Sequence, residues 1–177
     1  LLESAVACEN AENVLVELEN FRASKTAMPL FSEDLVVFSE GVEDRTAAIK
    51  QLVDAAHLAG RTELPAALET AVWQREDQFS TGLGFGIAIP HCKSRAVRHN
   101  SLCLARYAQP LDWKSRDGQG VDTVIMLIVR ESEAGEAHMK IFAQLARRIM
   151  HEEFRDGLRA CADPQSLLRY LKDAVEI

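Results

Sequence analysis

The spacing of apolar residues divides the chain into helices that alternate with short strands. Apolar positions at helical spacing predict helices over residues 9–22, 44–58, 136–150 and 153–160. Two further helices are predicted from their first residues: Thr62 can cap one, and Asp163-Pro164 begins the last. Runs of aliphatic and β-branched residues predict strands at 35–38, 87–89, 101–107 and 121–129. The last of these is almost entirely apolar, which is typical of a central strand covered on both faces. Interspersed helices and strands indicate an α/β fold.

The pattern also suggests how the chain is organised into domains. Residues 1–32 are interpreted as an N-terminal helix with its linker, and residues 33–177 as the main domain. Residues 22–29 are polar and contain a proline, as linkers often do. The same pattern fits a first helix packed on the main domain. The chain starts at Leu1 without a methionine, which suggests a piece of a longer protein.

Composition and charge narrow the function classes. The chain has 20 Lys and Arg against 27 Asp and Glu, a net charge of −7, which argues against a nucleic-acid-binding protein. The longest apolar run, at residues 124–129, is too short to cross a bilayer. The four cysteines are scattered without a CxxC pair, as expected for free thiols in a reducing cytoplasm and not for a zinc site.

The most informative stretch runs from Ser80 to His91. Three glycines alternate at Gly82, Gly84 and Gly86, an apolar strand follows, and Pro90 stops that strand immediately before His91. The glycines lack the G-x-G-x-x-G spacing and precede a strand, so they do not form a dinucleotide fingerprint, and no cofactor is predicted. A histidine just past a buried strand end is predicted to be a nucleophile, with a basic loop from Lys93 to Arg98 after it.

Two distant residues are predicted to point toward His91. Arg75 continues the apolar stripe of its helix, and His138 lies in the first turn of the next-to-last long helix, on its apolar face. Neutral imidazole is nucleophilic near pH 7, and a phosphohistidine needs cationic and N–H partners. Arg75, His138 and the backbone amides of Gly84 and Gly86 are the predicted partners, which favours phosphoryl transfer. A histidine such as His138 is, however, more often a hydrogen-bonded core residue.

The other histidines are interpreted as ordinary surface or capping residues: they are His57, His99 and His151. An alternative is a metallohydrolase that uses His91, His99 and His138. The position of Arg75 and the lack of acidic ligands oppose that alternative.

At these residues the sequence resembles a known family. The run REDQFSTGLGFGIAIPH, residues 75–91, resembles the active-site signature of the fructose/mannitol-type enzyme IIA domains of the bacterial phosphoenolpyruvate-dependent sugar phosphotransferase system. The segment EAHMKIFAQLARRI, residues 136–149, and LDWKSRDG before a hydrophobic strand also fit that family. The resemblance covers about residues 33–175. It implies a mixed β-sheet flanked by helices on both faces.

The resemblance also implies a role for each site residue and two protein partners. His91 is expected to take a phosphoryl group from the phosphohistidine of HPr and pass it to a cysteine or histidine of an enzyme IIB domain. Arg75 and His138 match the residues that assist at the phosphorylated histidine. The membrane is involved only through the permease, which also selects the sugar.

Two features leave the pathway open. Family members often carry Asn where this chain has Phe85, so a polar side chain near the site is missing. Phe79 and Phe85 are interpreted either as an apolar docking rim or as part of the core. The first 21 residues resemble the end of an enzyme I domain, which suggests a domain of a multiphosphoryl transfer protein. The alternative to sugar transport is a regulatory binding module, similar to the nitrogen-related IIA proteins, whose phosphorylation state controls partner binding.

Overall fold

The computed structural model describes residues 28–133 and 136–174, without the side chains of 133–139. The predicted helix over 9–22 and most of the linker after it lie outside this part of the chain. Within it, no helix is long and apolar enough to cross a membrane.

A six-stranded mixed sheet forms the centre of the fold. Its strands are β1 (Val36–Ser39), β2 (Gly82–Gly84), β3 (Ile87–Ala88), β4 (His91–Ser94), β5 (Ser101–Leu111) and β6 (Val121–Arg130). The order is β1-β5-β6-β3-β2, and β4 also pairs with β6. β1 is parallel to β5, β5 is antiparallel to β6, and β3 and β4 both run parallel to β6. The sheet is therefore mixed and open, as the resemblance implied.

Five helices of the described chain cover both faces of this sheet. They are α1 (Arg45–Leu58), α2 (Pro65–Glu76), α3 (Glu136–Ile149), α4 (Glu152–Ala160) and α5 (Pro164–Ala174). Alternate residues of β6 point to opposite faces, because successive strand side chains do so. Val124 and Met126 pack with α1 and α2, whereas Ile125 and Leu127 pack with α3, α4 and α5. The predicted architecture is confirmed.

The strand that carries His91 differs from the prediction. We expected the chain to leave the sheet at Pro90 and to continue as a basic loop. Instead the chain keeps its direction after Pro90, and β4 pairs with β6 from His91 opposite Leu127. The carbonyl of Pro90 still accepts the Leu127 N–H at 3.0 Å, since proline lacks only the donor. His91 is therefore the first residue of a sheet strand.

The start of α2 also differs from the prediction. Leu64 is the N-cap, and Pro65 occupies the first turn. The predicted cap, Thr62, instead donates its hydroxyl to the Ala96 carbonyl at 2.7 Å and accepts the Leu64 N–H at 3.0 Å. Thr62 is thus used to join α2 to the segment after β4, a long-range contact that local sequence does not reveal.

Candidate functional site

His91 has a defined partner on each ring nitrogen. Nδ1 lies 3.0 Å from the Ile89 carbonyl oxygen, and Nε2 accepts the Nε–H of Arg75 at 3.0 Å. A carbonyl only accepts and a guanidinium only donates, so Nδ1 carries the proton and Nε2 carries the lone pair. The nucleophilic atom of this half-buried ring is therefore Nε2.

The surroundings of His91 favour the neutral ring. Burial lowers the pKa of His91 below its ordinary value, against the opposing effect of the Ile89 carbonyl. The Arg75 charge lowers the pKa further, and the Glu76 carboxylate raises it. At pH 7 the ring is therefore uncharged and able to act as a nucleophile.

Arg75 reaches His91 from the last turn of α2. Leu68 and Val72 of the same helix are buried, and this stripe carries Arg75 toward the sheet. Its Nη1 also donates to the Phe79 carbonyl at 3.0 Å. Two acceptors thus fix the guanidinium beside Nε2. The structure brings Arg75 and His91 together as the sequence predicted.

Helix α3 reaches the other side of His91. The ring of Phe142 lies 5.0 Å from the His91 ring, centroid to centroid, at a tilt of 52°. His138 is in the same helix, four residues before Phe142, but its side chain falls outside the described part of the chain. Its contact with a phosphoryl group therefore remains a prediction.

The glycine turn between β2 and β3 is held by charged side chains. Gly84, Phe85 and Gly86 have φ values of 96°, 58° and 78°, a conformation that glycine adopts readily and phenylalanine does not. The Phe85 N–H donates to Asp117 Oδ2 at 2.8 Å, and the Phe85 carbonyl accepts from Arg159 at 2.5 Å. A carboxylate therefore lies against this turn. Phosphate binding by the Gly84 and Gly86 amides remains a prediction.

The two phenylalanines of the predicted docking rim lie at the surface. Phe79 is 79% exposed and Phe85 is 38% exposed, with Leu83 at 37%. The Arg155 guanidinium lies over the Phe85 ring, 4.2 Å from its centroid. The interpretation of both rings as core residues is therefore wrong, and docking remains a prediction.

Sequence reasoning missed a buried polar group beside the site. Glu76, the last residue of α2, is only 3% exposed, and both of its oxygens accept from Thr81. The indole N–H of the buried Trp113 lies 3.4 Å from Thr81 Oγ1. A carboxylate directly after Arg75 was the available signal, but nothing local showed that it is buried.

The metallohydrolase alternative requires several His, Cys, Asp or Glu side chains close together. Among the described residues, no three His, Cys, Asp or Glu side chains are grouped so that they could hold a metal ion. His57 instead pairs its Nδ1 with the Thr62 carbonyl at 2.9 Å, and His151 is the N-cap residue of α4. A metal centre that uses His91 and His99 therefore finds no support in this region.

Comparison with known sequences gives a consistent set of relatives. The family described as "Phosphoenolpyruvate-dependent sugar phosphotransferase system, EIIA 2" matches residues 29–174. The multiphosphoryl transfer protein of Escherichia coli O157:H7 is 40% identical over 172 residues, which make up 97% of this chain and 20% of that protein. The fructose-specific EIIA component of Haloferax volcanii is 34% identical over 143 residues, 81% of this chain and 92% of that protein.

Solved structures show the same fold. The nitrogen regulatory protein IIA-Ntr of Neisseria meningitidis matches with a TM-score of 0.74 at 22% identity, over 80% of this chain and 96% of that one. Enzyme IIAMTL of Escherichia coli, in its complex with phosphorylated enzyme IIBMTL, matches with a TM-score of 0.66 at 18% identity, over 81% of this chain and 97% of that one.

Proposed function

The chain belongs to the EIIA 2 family of the phosphoenolpyruvate-dependent sugar phosphotransferase system, and on that premise we propose that it is a cytoplasmic phosphocarrier domain whose acceptor is Nε2 of His91. The phosphoryl group comes from the phosphohistidine of HPr and passes to an enzyme IIB domain during sugar uptake. The observation that carries this proposal is the contact between Arg75 and Nε2, because a cation beside the unprotonated nitrogen of a neutral imidazole supports its use as a phosphoryl acceptor.

The transfer balances without moving a proton. The Nε2 lone pair forms a bond to phosphorus while the P–N bond of phospho-HPr breaks, and the HPr imidazole leaves with the electron pair. Because Nδ1 keeps its proton, the phosphorylated His91 ring gains positive charge, which the Ile89 carbonyl at 3.0 Å stabilises. In the second transfer the cysteine thiolate or the histidine nitrogen of enzyme IIB attacks the phosphorus, the P–Nε2 bond breaks, and His91 leaves with the electron pair as a neutral ring that keeps its Nδ1 proton.

Arg75 must change partner during the transfer. Its Nε–H now points at Nε2, where the phosphorus arrives. The guanidinium therefore turns to the phosphoryl oxygens, which it binds as a fork, and neutralises the charge that spreads over them. His138 is proposed to donate a further N–H to that group.

Partner docking is assigned to the exposed phenylalanines. Phe79 follows Arg75 by four residues, and its own carbonyl holds the guanidinium. A protein that packs on the exposed Phe79 ring thus lies next to the reacting atoms. The solved complex of enzyme IIAMTL with phosphorylated enzyme IIBMTL supports an enzyme IIB domain as a partner.

A regulatory function is the second candidate. The nitrogen regulatory protein of Neisseria meningitidis and enzyme IIAMTL both share this fold, so the fold is compatible with either function. In this alternative, phosphorylation of His91 controls binding to other proteins and no sugar is moved. Incubating the phosphorylated domain with a panel of sugar-permease IIB domains separates the two, because transfer to none of them favours regulation.

The acceptor is tested by replacing His91 with alanine. We expect His91→Ala to take no acid-labile phosphate from phospho-HPr, whereas a His151→Ala control, altered at an exposed N-cap, is phosphorylated like the original chain. Acid-labile phosphate on a folded His91→Ala variant would overturn the proposal.

A further inference from the structure

A closed ring of hydrogen bonds runs through the site. The Glu76 carboxylate accepts from the backbone and hydroxyl of Thr81, and the Thr81 carbonyl accepts the Ile89 N–H at 3.0 Å. The Ile89 carbonyl accepts from His91 Nδ1, and His91 Nε2 accepts from Arg75, at 3.0 Å each. Arg75 precedes Glu76 in the chain, so one peptide unit closes the ring. The end of α2 and the His91 imidazole are therefore tied together from both sides.

Burying the Glu76 carboxylate is unfavourable in free energy, and hydrogen bonds to both of its oxygens offset this. Its side chain has no exposed surface, and it accepts from Thr81 N at 3.1 and 3.2 Å and from Thr81 Oγ1 at 2.5 Å. Arg45 Nη1 of α1 lies 3.7 Å from Oε1 and adds a positive charge. A buried ionic group seldom stabilises a fold more than an apolar one of the same size, so its use here points to a positional role.

We infer that Glu76 and Thr81 are positioning residues for phosphoryl transfer, because they set where Arg75 meets Nε2 of His91. The inference rests on the proposed function for its kinetic consequence. Neither residue contacts the reacting atoms. They act by fixing the last turn of α2 against the strand segment whose Ile89 carbonyl selects the His91 tautomer.

The ring predicts that a small change at Glu76 alters phosphoryl transfer at His91, although Glu76 does not contact Nε2. A displacement of about 1 Å in a reacting group lowers rates by up to roughly 100-fold. If Thr81 is released, the Ile89 N–H and carbonyl are free to shift, and Nδ1 loses a fixed acceptor. At the same time Glu76, the residue next to Arg75, loses its hydrogen bonds with Thr81.

Glu76→Gln tests the ring, with Asp77→Asn as the matched control. Both changes remove one carboxylate at the end of α2, but Asp77 is exposed and is the C-cap residue. In Glu76→Gln we expect kcat for phosphorylation by phospho-HPr to fall on the order of 10- to 100-fold with KM unchanged. The ¹⁵N shifts of His91 should move from a single Nδ1–H tautomer toward a mixture. Asp77→Asn should change neither.

Thr81 provides a second test that does not depend on the folding of Glu76→Gln. Thr81→Val removes the hydroxyl donor and should reproduce both effects. Thr81→Ser keeps the donor, so kcat and the His91 tautomer should remain those of the original chain. Folded Glu76→Gln or Thr81→Val variants with unchanged kcat and an unchanged His91 tautomer would overturn the inference. If the original chain takes no phosphate, the proposed function fails, and the ¹⁵N shifts alone still decide whether the ring positions His91.

Discussion

Two segments close to His91 in the sequence carry features that are associated with phosphate binding, and the structure uses them differently. The end of α2 places the Arg75 guanidinium 3.0 Å from Nε2 of His91, the ring nitrogen that carries the lone pair. The glycine turn places its central N–H on the Asp117 carboxylate, 2.8 Å away, and its central carbonyl on Arg159. The first segment is therefore available to an incoming anion, and the second already has partners within the chain.

The difference shows that glycine spacing indicates backbone conformation and not ligand chemistry. Gly84 and Gly86 are needed because the turn requires φ values of 96° and 78°. A phosphate at this turn would have to displace a carboxylate that lies against Gly84. A phosphate at His91 only requires Arg75 to turn. We therefore expect chemistry to depend on the Arg75–His91 pair, and folding and docking to depend on the turn.

Replacement of Arg75 should give the largest effect among the neighbours of His91. We expect Arg75→Ala to lower kcat/KM for phosphorylation about 100- to 1,000-fold, since it removes a positioned charge from the transition state. Arg75→Lys should recover only part of this, because an ammonium lacks the planar fork. Gln74→Ala, an exposed change one residue earlier, is the control in the same stopped-flow assay. A loss below threefold in folded Arg75→Ala would contradict the role of the pair.

The pKa of His91 provides the next test of the difference between the Arg75–His91 pair and the glycine turn. Burial and the Arg75 charge hold the pKa of His91 below its ordinary value, so the neutral nucleophile persists as pH falls toward that lowered pKa. The same shift makes His91 contribute stability above its unfolded pKa, and that contribution is lost as pH falls through the folded one. In an NMR titration, Arg75→Ala should raise the pKa of His91, and Asp117→Asn should leave it in place. The reverse result would show that Asp117 affects the pKa of His91 more than Arg75 does.

Adding a side chain to the turn tests its structural role. Gly84→Ala and Gly118→Ala each force alanine to a positive φ, which costs about 1–2 kcal/mol of unfolding free energy. At Gly84 the new Cβ would also lie 2.7 Å from Asp117 Oδ2, whereas nothing lies within 4 Å at Gly118. Urea unfolding should therefore show a larger loss for Gly84→Ala. Equal losses of unfolding free energy in the two variants would mean that the contact with Asp117 does not stabilise the turn.

The smallest effect is expected at the exposed phenylalanines. Phe79→Ala should change the unfolding free energy by less than about 0.5 kcal/mol, because the ring is 79% exposed. It should raise KM for phospho-HPr about 5- to 10-fold with kcat unchanged, as loss of an interface anchor does. Phe85→Ala should act in the same direction. Leu58→Ala, which changes an 87% exposed residue at the end of α1, is the control and should leave KM unaltered.

The sequence predicted the features that depend on local periodicity. The almost entirely apolar run of β6 and the helical stripes were enough to indicate an α/β fold, and the apolar stripe of α2 placed Arg75 toward His91. Long-range pairing was not predictable in this way. Pro90 was expected to end the sheet, but β4 resumes on β6, and Thr62 bonds to Ala96 across the fold.

The hydrogen-bonded ring was missed for the same reason. Glu76 and Thr81 are polar residues that look solvent-exposed in sequence, and only the packing of α1 and α2 on the sheet buries them. The Asp117 contact with Phe85 joins residues 32 positions apart. Such contacts depend on strand register, which residue spacing alone does not specify.

The central claim is that phosphorus bonds to Nε2 of His91, and one measurement tests it directly. The ¹⁵N-histidine-labelled chain would be phosphorylated with phospho-HPr and examined by ³¹P- and ¹⁵N-correlated NMR. We predict one phosphorylated histidine, His91, with phosphorus coupled to Nε2 and a proton retained on Nδ1. Phosphorus on Nδ1 of His91, or on any other histidine, would contradict the account.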